Sequence, residues 1–169
     1  MTSRNATPPP APSSAAGNDL SVVDALAQLS FLVYGALAEI AGPHDLSIVQ
    51  TRLLGVLRDR QPTMQALGRH LGLDKSSISG LVDRAQRRGL VTRTVSAADR
   101  RAVRVSITDA GRQLADQVTA GFTERIEMLV AGVSGQDRQR LSQLAAQIVA
   151  ADADRHSADP HHGTGPLSW

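Results

Sequence analysis

Just past Gly89 the hydrophobic pattern of this chain changes period. From Val22 to Ala85 apolar residues recur at spacings of three and four, the mark of helices with one buried side. Val91 to Val95 and then Val103, Val105 and Ile107, with Arg104 and Ser106 between them, recur at two. Helical periodicity returns after Thr108. The pattern predicts a mainly α chain carrying one small β hairpin, with Ser96 to Arg101 as the loop between its strands.

The helices on either side can be read from their caps. Ser21 precedes the stripe Val22, Leu26, Leu29, Val33, Leu37 and Ile40, with Asp24 at the third helical position to complement the helix dipole. Gly42-Pro43 stops this first helix. Ser47 with Gln50 three residues on forms a capping box for a second helix carrying Ile48, Leu53, Leu54 and Leu57. Thr63 caps a short third helix with Met64, Leu67 and Leu71 inward. Gly72-Leu73-Asp74 is a tight turn into a fourth, Lys75 to Arg88, which Gly89 ends. Thr108 caps a fifth with Leu114, Val118, Phe122, Ile126 and Leu129 on one side, and Ser134 with Asp137 opens a sixth with Leu141, Leu144 and Ile148. The Pro/Ala/Ser-rich residues 1–18 and the Asp/His/Gly/Pro-rich residues 154–169 are expected to be disordered.

Charge divides along the same lines. Residues 52 to 104 hold twelve basic side chains against four acidic ones, a balance of +8, while the rest of the chain carries −6. A basic middle between acidic flanks points to a polyanion-binding module on a different kind of scaffold. Cysteine is absent, which removes disulfide scaffolds, thiolate metal sites, thiol nucleophiles and oxidant sensing by thiols. No uninterrupted apolar run nears the roughly 18 residues of a bilayer span, and the N-terminus lacks the apolar segment of a secretory signal. A soluble, cytoplasmic protein is expected.

Two short helices joined by a Gly-containing turn, the second of them basic, form a helix-turn-helix, and the hairpin that follows makes the unit winged. Burying Ile78, Leu81, Val82 and Ala85 leaves Ser76, Gly80, Asp83 and Arg87 on the opposite face of the fourth helix, with Ser79 and Arg84 beside them. Lys75 and Ser77 lie in its first turn. Small hydroxyls, then a glycine, then arginines make a surface that can enter a major groove, where Ser reads either partner of a base pair and Arg takes guanine or phosphate. A mid-helix Gly costs about 1 kcal/mol relative to Ala, and close approach to DNA would justify Gly80. Arg100 and Arg101 at the hairpin tip suit a narrow minor groove, and Asp99 can orient one of them.

Several stretches resemble the multiple-antibiotic-resistance regulator (MarR) family. They are Leu71 to Ser79, then Val82-Asp83-Arg84, then Gly89 to Arg93, then Asp99-Arg100-Arg101 followed by Ile107-Thr108-Asp109-Ala110-Gly111. Leu46 to Gln50 is similar to the family's second-helix opening. The chain departs from the pattern at Gly68, where Ala is usual, and at Ala85-Gln86, where Leu-Glu is usual. The resemblance, over roughly Leu20 to Ala151, implies an obligate homodimer interlocked through the first, fifth and sixth helices. Residues 19–46 and 108–153 would then form the dimerisation region and 47–107 the winged helix-turn-helix. It implies a repressor on double-stranded operator DNA, touched by Thr63, Lys75, Ser76, Ser77, Ser79, Gly80, Arg84, Arg87, Arg93, Asp99, Arg100 and Arg101. It also implies a small-molecule effector such as an aromatic acid, with Tyr34, His44, Arg52 and Phe122 as the candidates in the family's pocket region. For Tyr34 and Phe122 the alternative is core packing.

Other chemistry finds little purchase. His156, His161 and His162 lack the carboxylate spacing of a metal site, so no metal or other cofactor is expected, and His70 suits a turn or a phosphate better than a ligand role. No serine sits in a nucleophile motif and no Gly loop cradles phosphate, so the chain does not read as an enzyme. The competing function is a helical dimer that binds DNA architecturally, without sequence choice or effector.

Overall fold

The computed structural model describes residues 20–95 and 102–158, with side chains through Asp154. Six helices and one antiparallel hairpin follow in the expected order: α1 (Val22–Ala41), α2 (Ile48–Asp59), α3 (Met64–Leu71), α4 (Lys75–Arg87), β1 (Val91–Val95), β2 (Val103–Ile107), α5 (Asp109–Leu129) and α6 (Gly135–Ala158). A 3₁₀ turn, Gly42–His44, joins α1 to α2.

Local chemistry sets the boundaries. The side chains of Ser21, Ser47, Thr63, Asp74 and Thr108 each accept a hydrogen bond from the backbone N–H three residues on, and Ser47 and Gln50 complete a reciprocal capping box. Each satisfies a donor that the first helical turn leaves unpaired. Gly72 (φ 67°) and Gly89 (φ 71°) end α3 and α4 in the left-handed region, where a side chain would be strained. In the hairpin Val91 pairs with Ile107 and Val95 with Val103. A third edge joins it where Thr63 bridges to Arg104 and Val105 N–H donates to Pro62 O at 3.0 Å, tying the start of α3 to the sheet.

The core lies where α2, α3 and α4 meet the hairpin. Leu53, Leu54, Leu57, Leu67, Val82, Val91, Val105 and Val118 are its fully buried side chains. Burying a Leu or Val side chain contributes about 1.5–3 kcal/mol, and α1 adds Leu37 and Ala41 and α5 adds Ala115 and Val118 to the same cluster. Gly68, the departure from the family pattern, is buried, and a Cβ there would stand 3.1 Å from Leu73 O and 3.4 Å from Ile78 Cγ2. The missing methyl lets the α3–α4 turn pack that closely.

The outer helices are different. Of the α1 stripe, Leu37 is buried while Val22, Leu26 and Leu29 are exposed. The C-terminal half of α1 packs on α5, helped by an ion pair from Arg125 Nε to Glu39 Oε2 at 3.1 Å. Every residue of α6 up to Asp152 is exposed, including Leu141, Leu144, Ile148 and Val149, and Arg138 links it to Glu127 of α5 at 3.2 Å. Met128 and Leu129 of α5 are exposed as well.

Two expectations need correction. The tail is expected from Asp154, but α6 runs to Ala158, because Ala, Asp and Arg there are compatible with a helix. Val22–His44 is also long and apolar enough to cross a bilayer, with a mean hydropathy of 1.4. Scattered polar residues, Asp24, Gln28 and Glu39 among them, break the run and hide its average. Its second half is part of the folded core, with Ala36, Leu37 and Ala41 buried.

Candidate nucleic-acid interface

α4 presents an exposed basic ridge on the winged unit. Ile78, Leu81, Val82 and Ala85 are buried beneath it, as the helical wheel predicts. Lys75, Ser76, Ser77, Arg84 and Arg87 are exposed on top, with Ser79 and Gly80 half-exposed between them. Clefts flank the ridge on both sides. The one toward the hairpin is lined by Thr63, Gln65, Arg69, Lys75, Ser76 and Ser79 among others. The one toward α2 is lined by Ser47, Val49, Ser76, Ser77, Gly80 and Arg84 among others. A ridge with a groove on each side matches the shape of a helix seated in a major groove with a phosphate backbone along each wall.

The hydroxyls on the ridge are not free rotors. Asp74 accepts from Ser76 Oγ at 2.7 Å, from Ser77 N–H at 2.8 Å and from Ser77 Oγ at 2.9 Å. These three bonds hold its carboxyl at about 2, well below the usual range, so it is ionised at neutral pH. With their protons given to Asp74, Ser76 and Ser77 turn oxygen lone pairs outward. Thr63 spends its oxygen on the Ala66 N–H at 3.2 Å while lining the cleft.

The basic residues fall into two groups. Among the described residues, Arg69, Lys75, Arg84 and Arg87 have no carboxylate partner, so their charge is open to an incoming anion. Arg93 is engaged instead. From β1 it pairs with Asp83 of α4 and donates to Ser79 O at 3.2 Å, and its Nε is buried without a partner. Asp83 is thereby half-covered, although the wheel puts it on the outer face. Arg93 sits at the interface as a brace between hairpin and ridge.

Arg69 and Gln65 escaped the sequence reading. The signal was present, since positions 65 and 69 share the face of α3 opposite buried Leu67 and Leu71. Asp99, Arg100 and Arg101, expected at the hairpin tip, lie outside the described residues, as do His161 and His162 and the side chain of His156. Among the described residues no group of His, Asp and Glu is arranged to hold a metal ion.

Neither cleft is lined by Tyr34, His44, Arg52 or Phe122. Phe122 packs against the core, whereas Tyr34 is exposed on α1. His44 lies in the 3₁₀ turn, and Arg52 carries a buried Nε with no partner. Burial and the charges of Arg60 and Arg52 lower the His70 pKa below its ordinary value, which keeps that imidazole neutral at pH 7.

A recognition helix between two grooves, preceded by a short helix and followed by a two-stranded hairpin, defines a winged helix-turn-helix protein. Residues 44–102 match the model of the MarR family. The chain is similar over 80% of its length to a MarR-family transcriptional regulator from Rhodococcus sp. RHA1, at 25% identity and a TM-score of 0.66, covering 96% of that structure. It is similar to CouR from Rhodococcus jostii RHA1, a structure containing p-coumaroyl-CoA, at 25% identity and a TM-score of 0.64 over 80% of this chain and 95% of that one. The fold also matches S. aureus MepR in a DNA complex, at 20% identity and a TM-score of 0.66 over 79% and 99%. The chain is thus similar to the MarR family in its winged unit and to solved MarR-family regulators in its fold.

Proposed function

We propose that this protein is a cytoplasmic, homodimeric, sequence-specific DNA-binding regulator of transcription and not an enzyme. It acts as a ligand-responsive repressor on a pseudo-palindromic operator. The observation that carries the reading is the α4 ridge, whose outward cations lack carboxylate partners while grooves run along both flanks. Lys75, Ser76, Ser77, Ser79, Gly80, Arg84 and Arg87 read or approach the major groove, and Thr63 meets the backbone beside it. Asp99, Arg100 and Arg101 carry the hairpin tip into the adjacent minor groove, with Arg93 bracing the hairpin rather than touching DNA. Residues 47–107 form the reader, and 19–46 with 108–153 form the dimer through α1, α5 and α6. The exposed apolar residues of those helices support this, since patches this large mark an interface.

An effector bearing an aromatic acid or a related group binds where α1, α2 and α5 of the dimer meet, near Tyr34, His44, Arg52 and Phe122. The exposed Tyr34 ring and the unpartnered Arg52 Nε support a site that closes only on assembly. The structures of CouR with p-coumaroyl-CoA and with a DNA duplex, and of MepR with DNA, support both halves of the reading by analogy.

The test is a fluorescence-anisotropy titration on the DNA upstream of the protein's own gene, and on duplexes selected from genomic fragments, with excess random competitor at two salt concentrations. A specific reader holds one two-fold site ~10³-fold or more above bulk DNA. Binding that competitor abolishes, and that falls uniformly with salt, would replace this reading with the architectural one. Arg101→Ala is expected to weaken the specific complex strongly with the fold intact, and unchanged operator affinity would remove the minor-groove assignment.

A further inference from the structure

Arg87 and Arg88 form an arginine pair at the end of the recognition helix, of which the sequence assigns only Arg87 to the DNA-facing side. The structure separates them. Arg87 points outward, whereas Arg88 reaches 43 and 44 residues back along the chain. Its Nη1 donates to Asp45 O at 2.8 Å and its Nη2 to His44 O at 2.7 Å. One guanidinium thus bridges two successive carbonyls, a match for its fixed fork of donors. The turn is shaped to present them. Asp45 adopts φ 52°, ψ 37°, a left-handed conformation uncommon for a residue with a side chain, and its N–H donates to Gly42 O at 2.9 Å.

The same end of α4 is gripped from the other side. Thr108, the cap of α5, donates its hydroxyl to Gly89 O at 2.7 Å and its N–H to Leu90 O at 3.0 Å. The C-terminus of the recognition helix is therefore fastened both to the turn that ends α1 and to the residue that begins α5. These are two of the three long helices that, among the described residues, leave apolar side chains uncovered. At the N-terminus of α4, Asp74 caps the helix from within its own first turn, and Arg93 of β1 holds Ser79 O a turn further on.

We propose that Arg88 is a positioning residue of the DNA reader, which fixes the orientation of the recognition helix relative to the dimer helices and thereby the half-site spacing the dimer accepts. This rests on the dimeric DNA-binding reading above. Arg88 itself touches no base or phosphate. It converts any displacement of the α1–α2 turn into a displacement of α4, because the bridge spans no flexible segment of its own.

The experiment uses the full chain and a two-fold duplex selected by the wild-type protein from random DNA, together with the same duplex carrying one extra central base pair. Both are titrated with wild type, Arg88→Ala, Arg88→Lys and Arg87→Ala. Wild type is expected to bind the lengthened duplex ~10-fold or more weakly, as specific readers do when contacts are lost. Arg88→Ala is expected to reduce that ratio to about 2, weakening the selected duplex while keeping the wild-type salt slope. Arg88→Lys keeps the charge but not the two-carbonyl fork, so it should give an intermediate ratio, and it serves if Arg88→Ala does not fold. Arg87→Ala should weaken both duplexes alike and lower the salt slope by about one.

A wild-type ratio in Arg88→Lys and Arg88→Ala overturns the proposal while leaving the DNA-binding reading intact. So does a uniform loss with a reduced salt slope, which would make Arg88 a phosphate contact. If wild type selects no duplex, the DNA-binding reading itself fails and the proposal falls with it.

Discussion

Gly80→Ala separates what the fold needs from what the DNA needs. Gly80 lies in the middle of α4, half-exposed on the ridge and lining the cleft toward α2. A Cβ built there meets a single atom within 4 Å, Arg84 Nη1 at 3.4 Å, the far end of a flexible side chain. The free protein can therefore accept the methyl without rearrangement, and replacing a mid-helix Gly by Ala should raise stability by about 1 kcal/mol. On DNA the same methyl projects at the closest approach of the helix. Overpacking a fitted surface costs about 1–3 kcal/mol, which is roughly 5- to 150-fold in operator affinity. Denaturant unfolding at one fixed protein concentration measures the first effect, and anisotropy on the selected duplex measures the second. Gly55→Ala in α2 is the control, since a Cβ there meets nothing within 4 Å and the residue lines neither cleft. It should gain similar stability and leave DNA affinity unchanged. A Gly80→Ala protein that is more stable and binds its operator as tightly as wild type would refute the close-approach argument. One that is less stable would refute the reading of open space around Gly80.

The same substitution at Gly111 should have the opposite sign, because a Cβ there would lie 2.1 Å from Leu90 O. Overpacking of about 1–3 kcal/mol and the weakening of one or two hydrogen bonds worth about 1 kcal/mol each outweigh a helix-propensity gain of about 1 kcal/mol. Gly111→Ala is therefore expected to lose about 2 kcal/mol in denaturant unfolding. The Asp74 carboxyl, held at about 2 against an ordinary 3.8, stabilises the folded chain above 3.8, and that contribution disappears as pH falls toward 2. Asp74→Ala should accordingly show a shallower stability loss across that window in acid titrations followed by circular dichroism. Leu144→Glu, on the exposed face of α6, should shift the sedimentation coefficient toward the single chain while helical content at high protein concentration changes little.

What could be read from sequence was local. Five caps, the capping box at Ser47, the glycine stops at Gly72 and Gly89, and the two alternating strands each depend on residues within a few positions of one another, so single-chain patterning captures them. The buried face of α4 followed from its spacing for the same reason. Pairings across elements were hidden. Nothing in the spacing says that Arg93 turns to Asp83 and Ser79 O, or that Arg88 reaches back to the carbonyls of His44 and Asp45. An arginine looks the same in sequence whether it braces or binds. The end of α6 differs from the sequence reading because Asp and His suggest a tail by composition, although neither breaks a helix. Tyr34, His44, Arg52 and Phe122 were grouped by family resemblance, and neither cleft beside α4 is lined by them.

The bare surface of α6 has a consequence for how such a protein behaves at low copy number. In the proposed dimer a second chain covers Leu141, Leu144 and Ile148, which the described residues of the protomer leave exposed, so stability rises with the protein's own concentration. While dimers are scarce, their number grows as the square of the protomer number. Doubling expression then quadruples the species able to occupy a two-fold site, and halving it leaves a quarter. The uncovered helix thus makes the response to dosage steeper than linear, with no cooperativity between DNA sites required.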